Sequence, residues 1–239
     1  MKQINLFEIP MLIAKCKNHD RVKEYVHSDI IPTYLQHKKR QNNRPEAFTH
    51  GAELGGAFQH LSTINQETND NSNLESVYSD YFPGAPEVNT KLLHELYMPD
   101  IKAVMNRYKF KKDVEWHING YYWYNITERG GWQDTHDHMM GPTQNTICGI
   151  HHIEFGEDLS SAFFINPQEQ MIRATYPSVF AKNVPDGFKK LSAQPKVTEG
   201  DIIWFPPWLK HTVAKQTSNK RRITMAMDIT INEVVYEDN

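Results

Sequence analysis

The sequence predicts an α+β chain that is mainly β, with helices in its first half and short strands in its second. Three observations predict this. Ile101, Val104, Met105 and Tyr108 follow the i, i+3, i+4, i+7 spacing of one helix face, preceded by Leu92, Leu93 and Leu96. From Val114 onward, short β-rich runs alternate with turn signals, the pattern of a sandwich or jelly roll. The 239 residues contain no internal repeat and no convincing linker, so one domain is expected over 1–239. Within it, residues 1–112 would form a supporting region and 113–235 the β core.

The elements follow in order. Residues 4–14 read as a strand interrupted by Pro10, hence an edge strand. Asn18 or Asp20 can cap a short helix that buries Val22, Tyr25 and Val26. Pro32 limits how far that helix runs undisturbed. Residues 38–44 are polar and basic, a solvated loop. Residues 62–73 are almost wholly polar and are expected to be a mobile surface segment. Pro99 should divide the next helical stretch in two or start its second part. Strands are expected over 114–127, 146–155, 161–165, 197–205, 211–214 and 222–231. Turns at Arg129-Gly130-Gly131, Gly156-Glu157-Asp158, Pro185-Asp186-Gly187 and Glu199-Gly200-Asp201 punctuate them.

Composition excludes several classes. Lys plus Arg is 26 and Asp plus Glu 29, a formal net charge of -3, which suits neither a nucleic-acid binder nor a polybasic membrane module. Hydrophobic residues at 39% fit a folded globular chain rather than a disordered one. No apolar run approaches the roughly 20 residues of a membrane helix. The first fifteen residues lack a signal-peptide pattern, so a cytoplasmic location is expected. Cys16 and Cys148 are too few for a disulfide framework or a thiolate zinc site.

Against that background the 12 histidines stand out. In a strand, alternate side chains share a face, so His136 and His138 of Thr135-His136-Asp137-His138 would project together. Asp137 would point away, and Asp134 would share their side if the strand reaches back to it. Two imidazoles can hold a metal if a third ligand arrives from elsewhere, and His211, at a later strand entrance, is the natural candidate. Non-heme Fe(II) is usually held by two His and one carboxylate, so His138 would stand where the carboxylate is expected. Asp134 or Asp137 is the alternative. His151 and His152 are adjacent, so at most one could face the same pocket; they read as structural or substrate-facing. Arg222, eleven residues after His211, could grip a carboxylate with its planar fork, with Thr224 on the same face. Arg221 would then face out.

These residues resemble a small uncharacterised group of 2-oxoglutarate and Fe(II)-dependent oxygenases found in marine bacteria and phages. The matching motifs are Leu6-Phe7-Glu8-Ile9-Pro10, Trp123-Tyr124-Asn125, the His136 and His138 pair, the segment from Gly200 to Val213, and Arg222-Ile223-Thr224. They occur in the group's order. Departures are Cys148-Gly149-Ile150-His151-His152, where the group has Ser-Gly-Val-Tyr-Tyr, and Pro207 in place of Ser.

The resemblance implies a double-stranded β-helix, that is, a cupin-like jelly roll braced by helices from the N-terminal half. It implies Fe(II) on His136, His138 and His211, with nickel or zinc able to stand in during purification. It implies 2-oxoglutarate as cosubstrate, held by Arg222, Thr224 and Asn125, and hydroxylation of a substrate with release of succinate and carbon dioxide. The substrate would be a small molecule or a peptide, with no nucleic-acid or membrane partner. The aromatic surfaces leave room for a homodimer. Rival readings are a three-His cupin-like iron dioxygenase that needs no 2-oxoglutarate, and a non-catalytic jelly-roll binding protein.

Overall fold

A computed structural model describes residues 9–42, 88–129, 132–139, 145–170 and 191–233. Residues 1–8, 43–44 and 62–73, and the expected turns at 130–131 and 185–187, lie outside the described residues.

Among the described residues, nine strands form two antiparallel sheets. They are β1 (Leu12–Lys15), β2 (Trp116–Thr127), β3 (Gln133–His136), β4 (Ile147–Glu154), β5 (Ala162–Ile165), β6 (Ser192–Ala193), β7 (Asp201–Phe205), β8 (His211–Val213) and β9 (Arg222–Glu233). The larger sheet runs β1-β7-β4-β9-β2 and the smaller β3-β8-β5-β6. β1 lies at the edge, as Pro10 predicts. β7 starts at Asp201, four residues later than expected, because Thr198 and Asp201 close a turn: the Thr198 amide donates to Asp201 Oδ2 at 2.6 Å.

The first helix, α1 (His19–Tyr25), buries Val22 and Tyr25. Asn18 takes the N-cap position but makes no side-chain cap; its Nδ2 donates to Leu96 O at 2.7 Å, tying α1 to the helix beyond. The chain continues through a π-helical stretch, Val26–Ile30, into α2 (Ile31–Asn42). Proline offers no amide and crowds the carbonyl four residues back, so a widened turn just before Pro32 is where the disturbance falls. α2 carries residues 38–42, so the expected loop there is helical instead.

α3 (Thr90–Arg107) runs unbroken through Pro99, against the expected division. Leu93, Leu96 and Tyr97 before the proline and Ile101, Val104 and Met105 after it are all buried in one core. That burial outweighs the roughly 3 kcal/mol an interior proline costs.

Strand alternation then sorts the larger sheet into two faces. Tyr122, Tyr124, Ile126, Ile153, Ile202, Trp204, Ile223, Met225, Met227 and Ile229 pack with the helices in the main core. Cys148, Ile150, Ile203 and Phe205 face the other way and pack with Ala162, Phe164 and Val213 of the smaller sheet. Phe164 and Phe205 meet between the sheets with ring centroids 5.0 Å apart. Among the described residues no helix is long and apolar enough to cross a membrane.

Candidate metal centre

The cleft between the sheets is lined by Trp123 and Asn125 of β2, Gln133 and His136 of β3, His138, Ile150 of β4, His211 and Val213 of β8, and Arg222, Thr224 and Ala226 of β9. Register explains the grouping on the larger sheet. Trp123 pairs with Ala226, Asn125 with Thr224 and Thr127 with Arg222, so one pleat face carries them all.

His136, His138 and His211 converge, each offering one ring nitrogen, with those atoms all within 4.8 Å of one another. Ring centroids are 4.2 Å apart for His136 and His211, 5.2 Å for His138 and His211, and 5.4 Å for His136 and His138. His136 and His211 face each other in the β3–β8 register. His138 arrives by a route that parity does not explain. β3 ends at His136, and His138 is held instead by its amide, which donates to Pro207 O at 2.8 Å. The expectation that one strand projects both imidazoles is therefore corrected: a chain crossing to the Pro206-Pro207 turn does so.

Hydrogen bonds set which nitrogen faces the cluster. His211 Nδ1 donates to Leu209 O at 3.2 Å, and His138 Nδ1 donates to Asp228 Oδ1 at 2.6 Å. Nε2 of each ring is then the lone-pair nitrogen a metal needs. Gln133 Nε2 lies 3.4 Å from His136 Nε2. Burial, then the neighbouring His136 and His138, holds the His211 imidazole well below its ordinary pKa, so it stays neutral and ready to ligate. Phe205 and Phe164 wall His211 at centroid distances of 4.9 and 5.5 Å, and Trp123 covers His138 at 5.6 Å.

The carboxylate alternatives fare differently. Asp137 Oδ1 accepts the Met139 amide at 3.1 Å, and Asp137 is not in the cluster. The Asp134 side chain lies outside the described ones. Of the adjacent pair, His151 points to the helices, where Nδ1 meets Tyr97 Oη at 2.8 Å and Nε2 meets His19 Nδ1 at 3.0 Å. His152 turns toward the smaller sheet, donates to Asp201 O at 3.1 Å and does not line the cleft.

Arg221 and Arg222 split as alternation requires. Arg221 forms a bidentate pair with Glu154 at 3.1 and 3.2 Å. Arg222 is buried in the cleft, and burial pulls its guanidinium down to about 10. Its Nε, together with Thr224 Oγ1 and Asn125 Oδ1, is buried without a hydrogen bond. Buried polar groups are nearly always satisfied, so unpaired donors and acceptors gathered on one cleft wall point to a polar ligand. The sequence reading did not find Asp228, Asn145 or Gln133. For Asp228 the signal was present: it lies six residues after Arg222, on the same face of β9.

Residues 121–228 match a family model described as "Putative 2OG-Fe(II) oxygenase". The matched stretch starts in β2, ends at Asp228 and contains every cleft residue named above. No curated protein matches the chain. Among solved structures it is similar to an oxidoreductase of the 2OG-Fe(II) oxygenase family from Burkholderia pseudomallei, at 11% identity and TM-score 0.41, covering 62% of this chain and 57% of that one. A prolyl-4-hydroxylase from Pseudomonas putida aligns at 12% identity and TM-score 0.37, over 62% of this chain and 67% of that one. HygX from Streptomyces hygroscopicus, crystallised with nickel and 2-oxoglutarate, aligns at 9% identity and TM-score 0.38, over 58% and 66%.

Proposed function

We propose that the protein is a single-domain oxygenase dependent on Fe(II) and 2-oxoglutarate, which hydroxylates a small-molecule or peptide substrate and releases succinate and carbon dioxide. The two sheets are read as the halves of a double-stranded β-helix, with the site at its mouth. One observation carries this reading: three imidazoles share one cleft with a buried Arg222 Nε and Thr224 Oγ1 that have no hydrogen bond. A metal alone would need only the histidines. A bare metal-binding module gains nothing from a buried guanidinium whose Nε meets no partner among the described residues, which costs folding energy.

The residues fit both groups. His136, His138 and His211 would hold Fe(II) by neutral nitrogens, a donor set compatible with iron, nickel and zinc. Arg222 Nε and Thr224 Oγ1 would donate to the distal carboxylate of 2-oxoglutarate, with the Asn125 amide beside them. When bound, iron with 2-oxoglutarate supplies oxygen activation coupled to oxidative decarboxylation. The chain's own contribution is to fix the imidazoles, neutralise the distal carboxylate and keep water out with Phe164, Phe205 and Trp123. Two buried free thiols, Cys16 and Cys148, suit a reducing cytoplasm.

The all-imidazole donor set also suits an iron dioxygenase that needs no 2-oxoglutarate. Anaerobic addition of Fe(II) and then 2-oxoglutarate should produce a weak visible charge-transfer band, and aerobic turnover should release succinate. Iron binding with neither signal would replace the first reading with the second.

A further inference from the structure

The three-imidazole set lacks the carboxylate that usually completes such a centre, and the structure holds one just outside it. Asp228 Oδ1 accepts from His138 Nδ1 at 2.6 Å, while Asp228 Oδ2 accepts from Asn145 Nδ2 at 2.9 Å. The same Asn145 nitrogen donates to His138 O at 3.0 Å, so the amide clamps the carboxylate and the histidine backbone together. Cys148 lies directly across β4–β9 from Asp228, with its Sγ within 4.8 Å of the carboxylate. Two donors therefore hold the two carboxylate oxygens, with the thiol beside them. Among the described residues no lysine or arginine pairs with Asp228, which leaves His138 Nδ1 as its closest nitrogen.

We propose that Asp228 is the displaced carboxylate of this centre: it positions His138 and supplies, through that imidazole, the negative charge a carboxylate ligand would have brought. This rests on the oxygenase reading above. Formal charge makes the case. A divalent ion on three neutral imidazoles carries plus two, whereas two imidazoles and a carboxylate leave plus one. Counting Asp228 restores plus one across a single hydrogen bond. The bond also raises the basicity of Nε2, because a donated N–H partly shifts its proton to the acceptor. Burial and then Asp228 push the Cys148 thiol up, which suits it as a neighbour of that carboxylate.

The test measures Fe(II) affinity by anaerobic chelator competition, and the energy of the charge-transfer band with 2-oxoglutarate, on the full chain. Asp228→Asn keeps an acceptor oxygen but removes the charge. Iron affinity should fall about 10- to 100-fold and the band should move to higher energy, as a less electron-rich iron requires. The decisive arm repeats the change in a His138→Asp background, where a carboxylate occupies the ligand position itself. There no Nδ1–H joins Asp228 to the ligand, so Asp228→Asn should change iron affinity by less than about threefold. Asp228→Glu, which keeps the charge and the acceptor, should retain most of the affinity, and so covers the case in which Asp228→Asn fails to fold. Equal loss of affinity in both backgrounds, or no change in either, would overturn the proposal, because an effect exerted through the imidazole disappears with it. A cobalt–thiolate band in the Co(II)-loaded protein would overturn it too, by making Cys148 and Asp228 ligands. If the unaltered protein gives no iron–2-oxoglutarate band, the oxygenase reading itself falls, which separates the two failures.

Discussion

On the helix-facing side of the larger sheet, buried polar groups meet partners: Tyr97 bonds His151, which bonds His19, and Tyr122 Oη meets His94 Nδ1 at 2.9 Å. On the opposite side of the same strands, Asn125 Oδ1, Arg222 Nε and Thr224 Oγ1 are buried without hydrogen bonds. Met225 and Thr224 are chain neighbours, yet one joins the main core and the other lines the cleft. Leaving a buried polar atom unsatisfied costs about 1–3 kcal/mol. A single strand thus spends residues on stability with one side and carries a standing cost on the other. The cost makes sense if a polar ligand offsets it, which locates function on the cleft face and foldedness on the helix face.

Substitutions on the cleft face should therefore alter binding and spare folding. The largest effect is expected for His211→Ala. Removing one of three nitrogens should lower Fe(II) affinity by more than about 100-fold, since changes one shell further out already cost 10–100-fold. Circular dichroism should remain that of the unaltered protein. Normal iron affinity in this variant would dissolve the trio. Next comes Arg222→Met. Loss of a charge-assisted bond worth about 1.5–3 kcal/mol should weaken 2-oxoglutarate by roughly 10- to 100-fold while leaving iron binding intact. The same variant should unfold at a higher temperature without ligand, because it removes a buried charge whose Nε is unsatisfied. A lower melting temperature would mean that Arg222 has a structural partner and that the contrast between faces is overstated.

Much of this contrast was legible in the sequence, and the reason is period. Alternation placed Arg222 and Thr224 together and split Arg221 from Arg222. It also separated His151 from His152, because a strand has only two faces. What alternation cannot see is where a strand stops. His138 reaches its place through a turn, so parity put it on the correct side for the wrong reason. Asp228 obeyed the rule but attracted no attention, since its importance comes from a residue ninety positions away. Pro99 points to a break because local propensity does not register tertiary burial; six buried hydrophobic side chains on α3 settle that helix. The length of α2 was hidden for a similar reason, as a polar run can continue a helix started by its apolar neighbours.

The helix face and the space between the sheets can be compared by acid. His152 is fully buried, and burial followed by repulsion from Arg222 pulls its imidazole down to about 3 from 6.5. The unfolded chain therefore takes up a proton below about 6.5 that the folded chain refuses. Stability is intact above that pH and declines as pH falls toward 3, by about 1.4 kcal/mol per pH unit for this one group. Urea unfolding at roughly pH 7.5 and pH 5 should show a share of about 2 kcal/mol that disappears in His152→Gln. His151, held down by burial and then His19, works in the same direction and should keep part of the acid sensitivity in that variant. An unchanged pH slope in His152→Gln would place the sensitivity elsewhere.

The smallest effect expected belongs to Gly200, on the stability side of the comparison. Its φ of +86° lies in the left-handed region that residues with a Cβ adopt only under strain. It is also a junction: its amide donates to His152 O and its carbonyl accepts from the Cys16 amide, each at 2.8 Å. The turn thus joins β4 to the segment after β1, just before β7 begins. An added Cβ would sit 3.4 Å from His19 Cγ, tight but tolerable, so the backbone angle is the main penalty. Gly200→Ala should lower unfolding free energy by about 1–2 kcal/mol and leave Fe(II) affinity unchanged. A fall in metal affinity at full stability would reverse the assignment, because it would make this turn part of the cleft rather than of the frame that supports it.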